Sequence, residues 1–210
     1  MSDYTFFTHP MSRGQIARWA LHEAGADYDT QLVDWEAKPQ SLFDANPMGK
    51  VPTLVHHHGD HVHVISEAAA ICAYLGDTER GGALAPRDHE RADYYRAMFF
   101  ASGPVEQAVV AKSMAWEVPA NREMMAGFGN YDRTVEMLAM LVSQADYVCG
   151  DRFTMADVYV GSQVDWGLQF SSLPTRPEFT AYAERLRGRE AYKAAKSIDM
   201  KLIEDAQTDS

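Results

Sequence analysis

The stretch that most constrains this chain is Asn46-Pro-Met-Gly-Lys-Val-Pro-Thr-Leu-Val55. A loop rich in turn formers runs into a proline that stands directly before an apolar run. Proline has no N–H for a sheet ladder, so it belongs at a strand's first residue or on an edge. It also pushes Val51 towards extended backbone, and an X–Pro bond is where a cis peptide costs only about 0.5–1 kcal/mol. Either isomer leaves Val51 with an N–H and a C=O that no neighbouring strand need claim. An extended small peptide can pair with such groups as an added strand. The plainer alternative is a strand-starting proline with no ligand.

The segments around this stretch read as a small α/β unit. Tyr4–Thr8 is a short β-rich run that stops at His9-Pro10. Ala17, Ala20, Leu21 and Ala24 then recur at helical spacing beside Ile16, with Gly25 as the stop and Ser12 where an N-cap would sit. Tyr28 to Trp35 alternates as a second strand, and Glu36 to Asn46 is irregular. Thr53 to His57 and His61 to Ile65 form a hairpin around Gly59-Asp60. Glu67 opens a helix whose Ala68, Ile71, Cys72 and Leu75 share one face. The order strand, helix, strand, proline-led hairpin, helix predicts an α/β domain over 1–78. A Gly/Pro linker spans 79–88. An all-helical domain over 89–210 follows, with a kink or break at Gly103-Pro104 and a loosely held polar tail after Asp199.

Composition narrows the functional classes. The 210 residues include 19 basic and 30 acidic side chains, a net charge of −11. That balance repels a nucleic-acid backbone or an anionic membrane surface. The N-terminus lacks the basic and apolar regions of a signal peptide, and no apolar run reaches transmembrane length. Cys72 and Cys149 are far apart and form no CxxC pair, which fits a reducing cytoplasm.

Four groups of residues could carry chemistry. Ser12 lies where a helix N-terminus favours anions, and its hydroxyl could donate to a thiolate; the alternative is a simple helix cap. Glu67 could hold an ammonium while the N–H of Ala68 holds a carboxylate, a headgroup site for an amino acid; the alternative is a dipole-stabilising surface glutamate. Arg13, Arg18, Lys38 and Lys50 are cations available to neutralise a carboxylate. His56, His57, His58, His61 and His63 flank the hairpin turn, but no acid or cysteine completes a set in the sequence, so no metal is expected. Thr154-Met-Ala-Asp157 is a capping box, and Asp157 is read as structural.

Together, Phe-Thr-His-Pro-Met-Ser-Arg-Gly (7–14), Asn46 to Leu54, Ser66 to Leu75 and Phe153 to Tyr159 resemble the cytosolic glutathione transferase family across almost the whole chain. The resemblance implies a thioredoxin-like N-terminal domain, an all-α C-terminal domain, a homodimer and a role in detoxification. It implies a cis Pro52, with Val51 pairing the cysteinyl part of glutathione. Glu67 and Ala68 would hold its γ-glutamyl end and Lys50 would lie near the glycyl end, with Lys38 a further glutathione-binding residue. Ser12 would activate the sulfur, with Thr8 or the Arg13 backbone as alternatives. Many serine-type members carry Glu-Ser where this chain has Glu67-Ala68, which removes one hydroxyl contact. The electrophile would be small and apolar, met by Met11, Phe99, Met114, Trp116 and Trp166. A glutathione-dependent reductase, isomerase or lyase, or a non-enzymatic glutathione-binding module, are the alternatives on the same fold.

Overall fold

The computed structural model describes residues 2–208. The chain divides into two compact units, Met1–Leu84 together with Gly188–Ser210, and Ala85–Arg187.

In the first unit, strands β1 (Tyr4–Thr8), β2 (Tyr28–Leu32), β3 (Thr53–His58) and β4 (His61–Ser66) form one sheet in the order β2-β1-β3-β4. β1 runs parallel to β2 and antiparallel to β3, and β3 and β4 are the expected hairpin. Alternation along β1 sends side chains to both faces. Phe7 joins Val33, Leu42 and Val55 in one cluster, while Phe6, Leu54 and Tyr4 are wholly buried. Helices α1 (Gly14–Ala24) and α3 (Ala68–Thr78) pack against each other and bury the predicted stripes, Ile16, Ala17, Ala20 and Leu21 on one, Ile71, Cys72 and Leu75 on the other. Gly25 ends α1 at φ 66°, the left-handed conformation a C-terminal glycine supplies. Gly14 starts it because a Cβ there would lie 1.9 Å from the Thr8 hydroxyl oxygen.

One helix escapes the sequence reading. Residues Gln40–Ala45 form α2 inside the segment expected to be irregular. Six residues are too few to show a period, and Leu42 is its only buried side chain.

The second unit holds α4 (Arg91–Phe100), α5 (Glu106–Ser113), α6 (Tyr131–Ser143), α7 (Met155–Gln169) and α8 (Pro177–Arg187). At the expected kink or break, Gly103-Pro104, the helix passes through a π-helical turn, Ala101–Val105, that joins α4 to α5. Proline removes one N–H and crowds the carbonyl four residues back, and widening the helix locally accommodates both. The capping box at α7 is present. Asp157 is fully buried and accepts from the N–H groups of Thr154 and Val148 and from the Tyr182 hydroxyl, so it is structural as read. Buried Glu90 is bound by the Arg152 guanidinium, which also donates to the Ala85 carbonyl.

The final helix departs most from expectation. Instead of a short helix and a loose tail, Glu190–Thr208 forms a 19-residue helix, α9, that packs on α1 and groups with the sheet. Its anchor is an ion pair of 2.9 Å between Arg18 and Asp199, each 1% exposed. The Arg18 guanidinium lies over the Phe6 ring and donates to Tyr28 and Thr30. Arg18 is therefore a core residue and not the anion-site cation it could have been.

Two predictions follow from these ion pairs. Removing one partner strands the other charge in the interior, so Asp199→Ala is expected to destabilise the protein by about 3–5 kcal/mol in urea unfolding. Arg152 holds Glu90 down to about 2 from an ordinary 4.5. The folded value lies below the unfolded one, so the contribution is complete above about pH 4.5 and is lost as pH falls towards 2. Glu90→Gln should flatten the loss of stability across that window.

Candidate functional site

The first unit collects the predicted residues at one end of its sheet. The loop before β3 delivers Val51 and Pro52, the start of α1 follows the end of β1, and the start of α3 follows the end of β4.

The Val51–Pro52 peptide is cis. No hydrogen bond joins the Val51 N–H or C=O to another described group, and the ladder resumes only at Thr53. Pro52 is buried and Val51 half-buried. The main chain at Val51 is thus partly open and without a partner in the sheet.

A buried asparagine holds that loop, and the sequence reading did not single it out. The Asn46 amide nitrogen donates to the Lys50 carbonyl at 3.3 Å and to the Thr53 hydroxyl at 3.0 Å, while its oxygen accepts from the Met48 N–H. Thr53 in turn donates to the Lys50 carbonyl at 2.8 Å. The available signal was the side chain itself, since Asn before Pro-Met-Gly is a turn former that bonds its own backbone two residues on.

Of the two lysines, Lys38 is engaged. Its ammonium donates to the Gly49 carbonyl at 2.9 Å and lies 5.6 Å from the Trp35 ring. Lys50 is exposed. Glu67 is exposed too, and its backbone takes φ 69° and ψ 118°, a conformation that side-chain-bearing residues rarely adopt. Such strain, typically about 1–3 kcal/mol, gathers at ligand clamps. It sits directly before the open N–H groups of α3, where Ala68 begins the helix.

The Ser12 hydroxyl is locally satisfied. It donates to the His9 carbonyl at 2.6 Å and accepts from the Gly14 N–H at 3.0 Å. It stands one residue before the N-cap Arg13, satisfies the first N–H of α1 and keeps a lone pair, but its proton is directed at His9. Thr8 is wholly buried against Gly14, and its hydroxyl has no hydrogen-bond partner among the described residues. His9 is a further neighbour that the sequence reading passed over. Its Nδ1 accepts from the Met11 N–H, its ring lies 4.6 Å from Trp35, and burial lowers its pKa, so it is neutral at pH 7.

Met11 is exposed beside Ser12. In the second unit Phe99, Met114 and Trp116 are exposed and Trp166 is half-buried against Phe170. Neither cysteine suits thiol chemistry: burial pushes the Cys72 thiol far up and the Cys149 thiol up to about 12.

The residues matched by known proteins fall on this site. The family model for the glutathione S-transferase N-terminal domain matches residues 11–78. Glutathione S-transferase 1 of Schizosaccharomyces pombe is 32% identical over 162 residues, a match that covers 70% of this chain and 66% of that relative. A glutathione S-transferase of Pseudomonas putida is 28% identical over 71% of this chain and 68% of its own. Among solved structures, a sphingomonad glutathione S-transferase complexed with glutathione is 25% identical, with a TM-score of 0.72 over 93% of this chain and 98% of that one. A glutathione transferase of Phanerochaete chrysosporium, at 21% identity, shares the fold with a TM-score of 0.75 over 95% and 97%.

The Asn46 network yields a prediction. Asn46→Ala leaves the Met48 N–H without a partner and the Lys50 carbonyl with the Thr53 hydroxyl alone. It should lower stability by about 1–3 kcal/mol in urea unfolding, and it should loosen the 46–52 loop, read as faster amide exchange there than at β1.

Proposed function

This chain belongs to the glutathione S-transferase family, and on that premise we propose that it transfers the thiolate of glutathione to a small apolar electrophile. The observation that carries the proposal is the unpartnered main chain at Val51 beside Pro52. An N–H and C=O left over at a strand end suit the extended cysteinyl part of a tripeptide. The strained Glu67 and the start of α3 suit its γ-glutamyl ammonium and carboxylate. Lys50 is free to reach the glycyl carboxylate. Lys38, bound to Gly49, contributes by fixing the loop.

The chemistry asks little of the protein beyond an ionised, positioned sulfur. A free thiol ionises near pH 8.5, and bringing it down by about two units takes roughly 2.7 kcal/mol. The positive end of α1 offers up to about 2 kcal/mol, and a hydroxyl bond to the anion about 1.5–3. We assign the hydroxyl to Ser12, which meets the sulfur by turning its proton from the His9 carbonyl. The thiolate then attacks an electrophilic carbon. A C–S bond forms while the leaving group departs with its electron pair, or, at an activated double bond, the π pair is displaced onto the activating group and the carbanion then takes a proton from solvent; the thiol proton has already gone to solvent. No bond to the enzyme is made. Met11 gives the sulfur an apolar neighbour; Phe99, Met114 and Trp116 are exposed apolar side chains of the second unit. We place the protein in the cytoplasm as a homodimer, and exposed Val62 and Val64 on β4 support a partner there.

A second reading has an observation of its own. Because Ser12 is already bonded on both sides, a glutathione-binding module with weak thiol activation would need no change at α1. Reductase action is disfavoured by the raised pKa of both cysteines.

Thiolate absorbance of bound glutathione separates these readings. We expect a bound-thiol pKa about two units below the free value, raised by about one unit in Ser12→Ala. An unchanged value in the variant removes Ser12 from the mechanism, and a bound thiol that titrates like free glutathione selects the binding module. Absence of glutathione binding by calorimetry at millimolar concentration would sink both.

A further inference from the structure

The far end of β3 carries a second cluster that the proposed transfer does not use. The hairpin register sets His56 opposite His63 and His58 opposite His61, so four imidazoles share one face of the two strands. His57 points the other way and bonds the Thr5 hydroxyl. The ring of His56 lies 5.4 Å from that of His58 and 6.5 Å from that of His63. These three histidines line an open cleft of about 590 Å³ together with Asp3, Tyr74 and Glu79. The acids that the linear sequence did not set beside the histidines are brought there by the fold, one from before β1 and one from the end of α3.

We propose that His56, His58 and His63 form a binding site for a divalent transition metal ion of the zinc type. A water molecule or the Glu79 carboxylate completes a four-coordinate shell. Two imidazoles on a tetrahedral ion at about 2.0–2.1 Å per nitrogen have centroids roughly 5 Å apart; His58 is already near that distance from His56, and His63 has about an ångström to close. Among the described residues no three such groups already converge on one point. The exposed rings of His58 and His63 must therefore turn, a rotamer change open to surface side chains on the nanosecond scale.

His56 is the fixed member. It is buried, its ring stacks on Tyr4 at 4.3 Å, and its Nδ1 is 2.8 Å from the Tyr74 hydroxyl. With Nδ1–H donating to that oxygen, Nε2 keeps its lone pair for the metal, the arrangement that orients histidine ligands in general. Asp3 and Glu79 lie near enough to act on His56 electrostatically and would offset the added positive charge. Because an ion here would tie β3 to the edge strand β4, its consequence is a stiffer hairpin. The transfer site lies at the opposite end of β3 and need not change.

The test is zinc titration of the full chain without an affinity tag and without glutathione, by calorimetry, with cobalt absorbance to report imidazole ligation. We expect one ion per chain, an affinity at least about tenfold weaker in His58→Gln/His63→Gln, and a loss on the order of tenfold in Tyr74→Phe. His89→Gln, a control at an exposed histidine of the second unit, should bind within about twofold of wild type. Both hairpin histidines are exposed, so the double variant should keep the apo melting temperature while losing its rise with zinc. No binding, several equal weak sites, or the same affinity in the double variant would overturn the proposal. Glutathione binding that persists in the double variant keeps this test separate from the transferase reading.

Discussion

The proposed chemistry depends on one amide side chain. Asn46 is buried where the loop before β3 turns, and its two polar ends bond three groups of the same loop. A buried polar group left unmet costs about 1–3 kcal/mol, so the loop has one low-energy way to fold around it. That conformation sets Lys50 and Thr53 in place and leaves Val51 between them with no partner of its own. The open main chain is thus the product of a fully satisfied network next to it. A ligand that pairs with Val51 finds the loop already fixed and does not have to order it.

A similar economy governs α1. Its N-terminus must lie close to the end of β1 for the site to form, and Gly14 permits the approach to Thr8. Its other side must be covered. α9 does this, held by Arg18 and Asp199 across the core of the unit. Two buried charges are costly by themselves, and the pair is weak evidence for added stability. What it supplies is a fixed register between α1 and α9, since no neighbouring position offers Arg18 an acid. The rings of Phe6 and Tyr28 beneath the guanidinium tie the same arrangement to the sheet.

How much of this the sequence disclosed follows from the range of each interaction. β1, α1, the β3–β4 hairpin and α3 were readable because each shows its own period and carries its own stop signal within a dozen residues. The proline before β3 and the short acid of the capping box at α7 were readable for the same reason. α2 was not, having too few residues to show a period. α9 was not read at full length because its polar face and its charges resemble a solvated tail. Only the fold brings Asp199 to Arg18, 181 residues away. At the site, Ser12 and Glu67 could be placed at helix starts from spacing alone. The strained backbone of Glu67 and the direction of the Ser12 proton are properties of geometry, and no pattern of residue types announces them.

The Ser12 hydroxyl shows why the two readings of the site are close in energy. As a cap it satisfies the Gly14 N–H through its oxygen, and that bond does not compete with donation to an anion. Its proton does compete, because the His9 carbonyl holds it at 2.6 Å. Turning the proton to a thiolate exchanges a neutral hydrogen bond for a charge-assisted one, which is roughly twice as strong. The exchange is favourable only if the sulfur arrives ionised and desolvated, and only if the His9 carbonyl then finds another donor or water. On the proposed reading, thiol activation is set less by the presence of a serine than by how closely Val51 seats the tripeptide. The loop fixed by Asn46 and the start of α1 act as one device, and a change in either should move the sulfur's pKa.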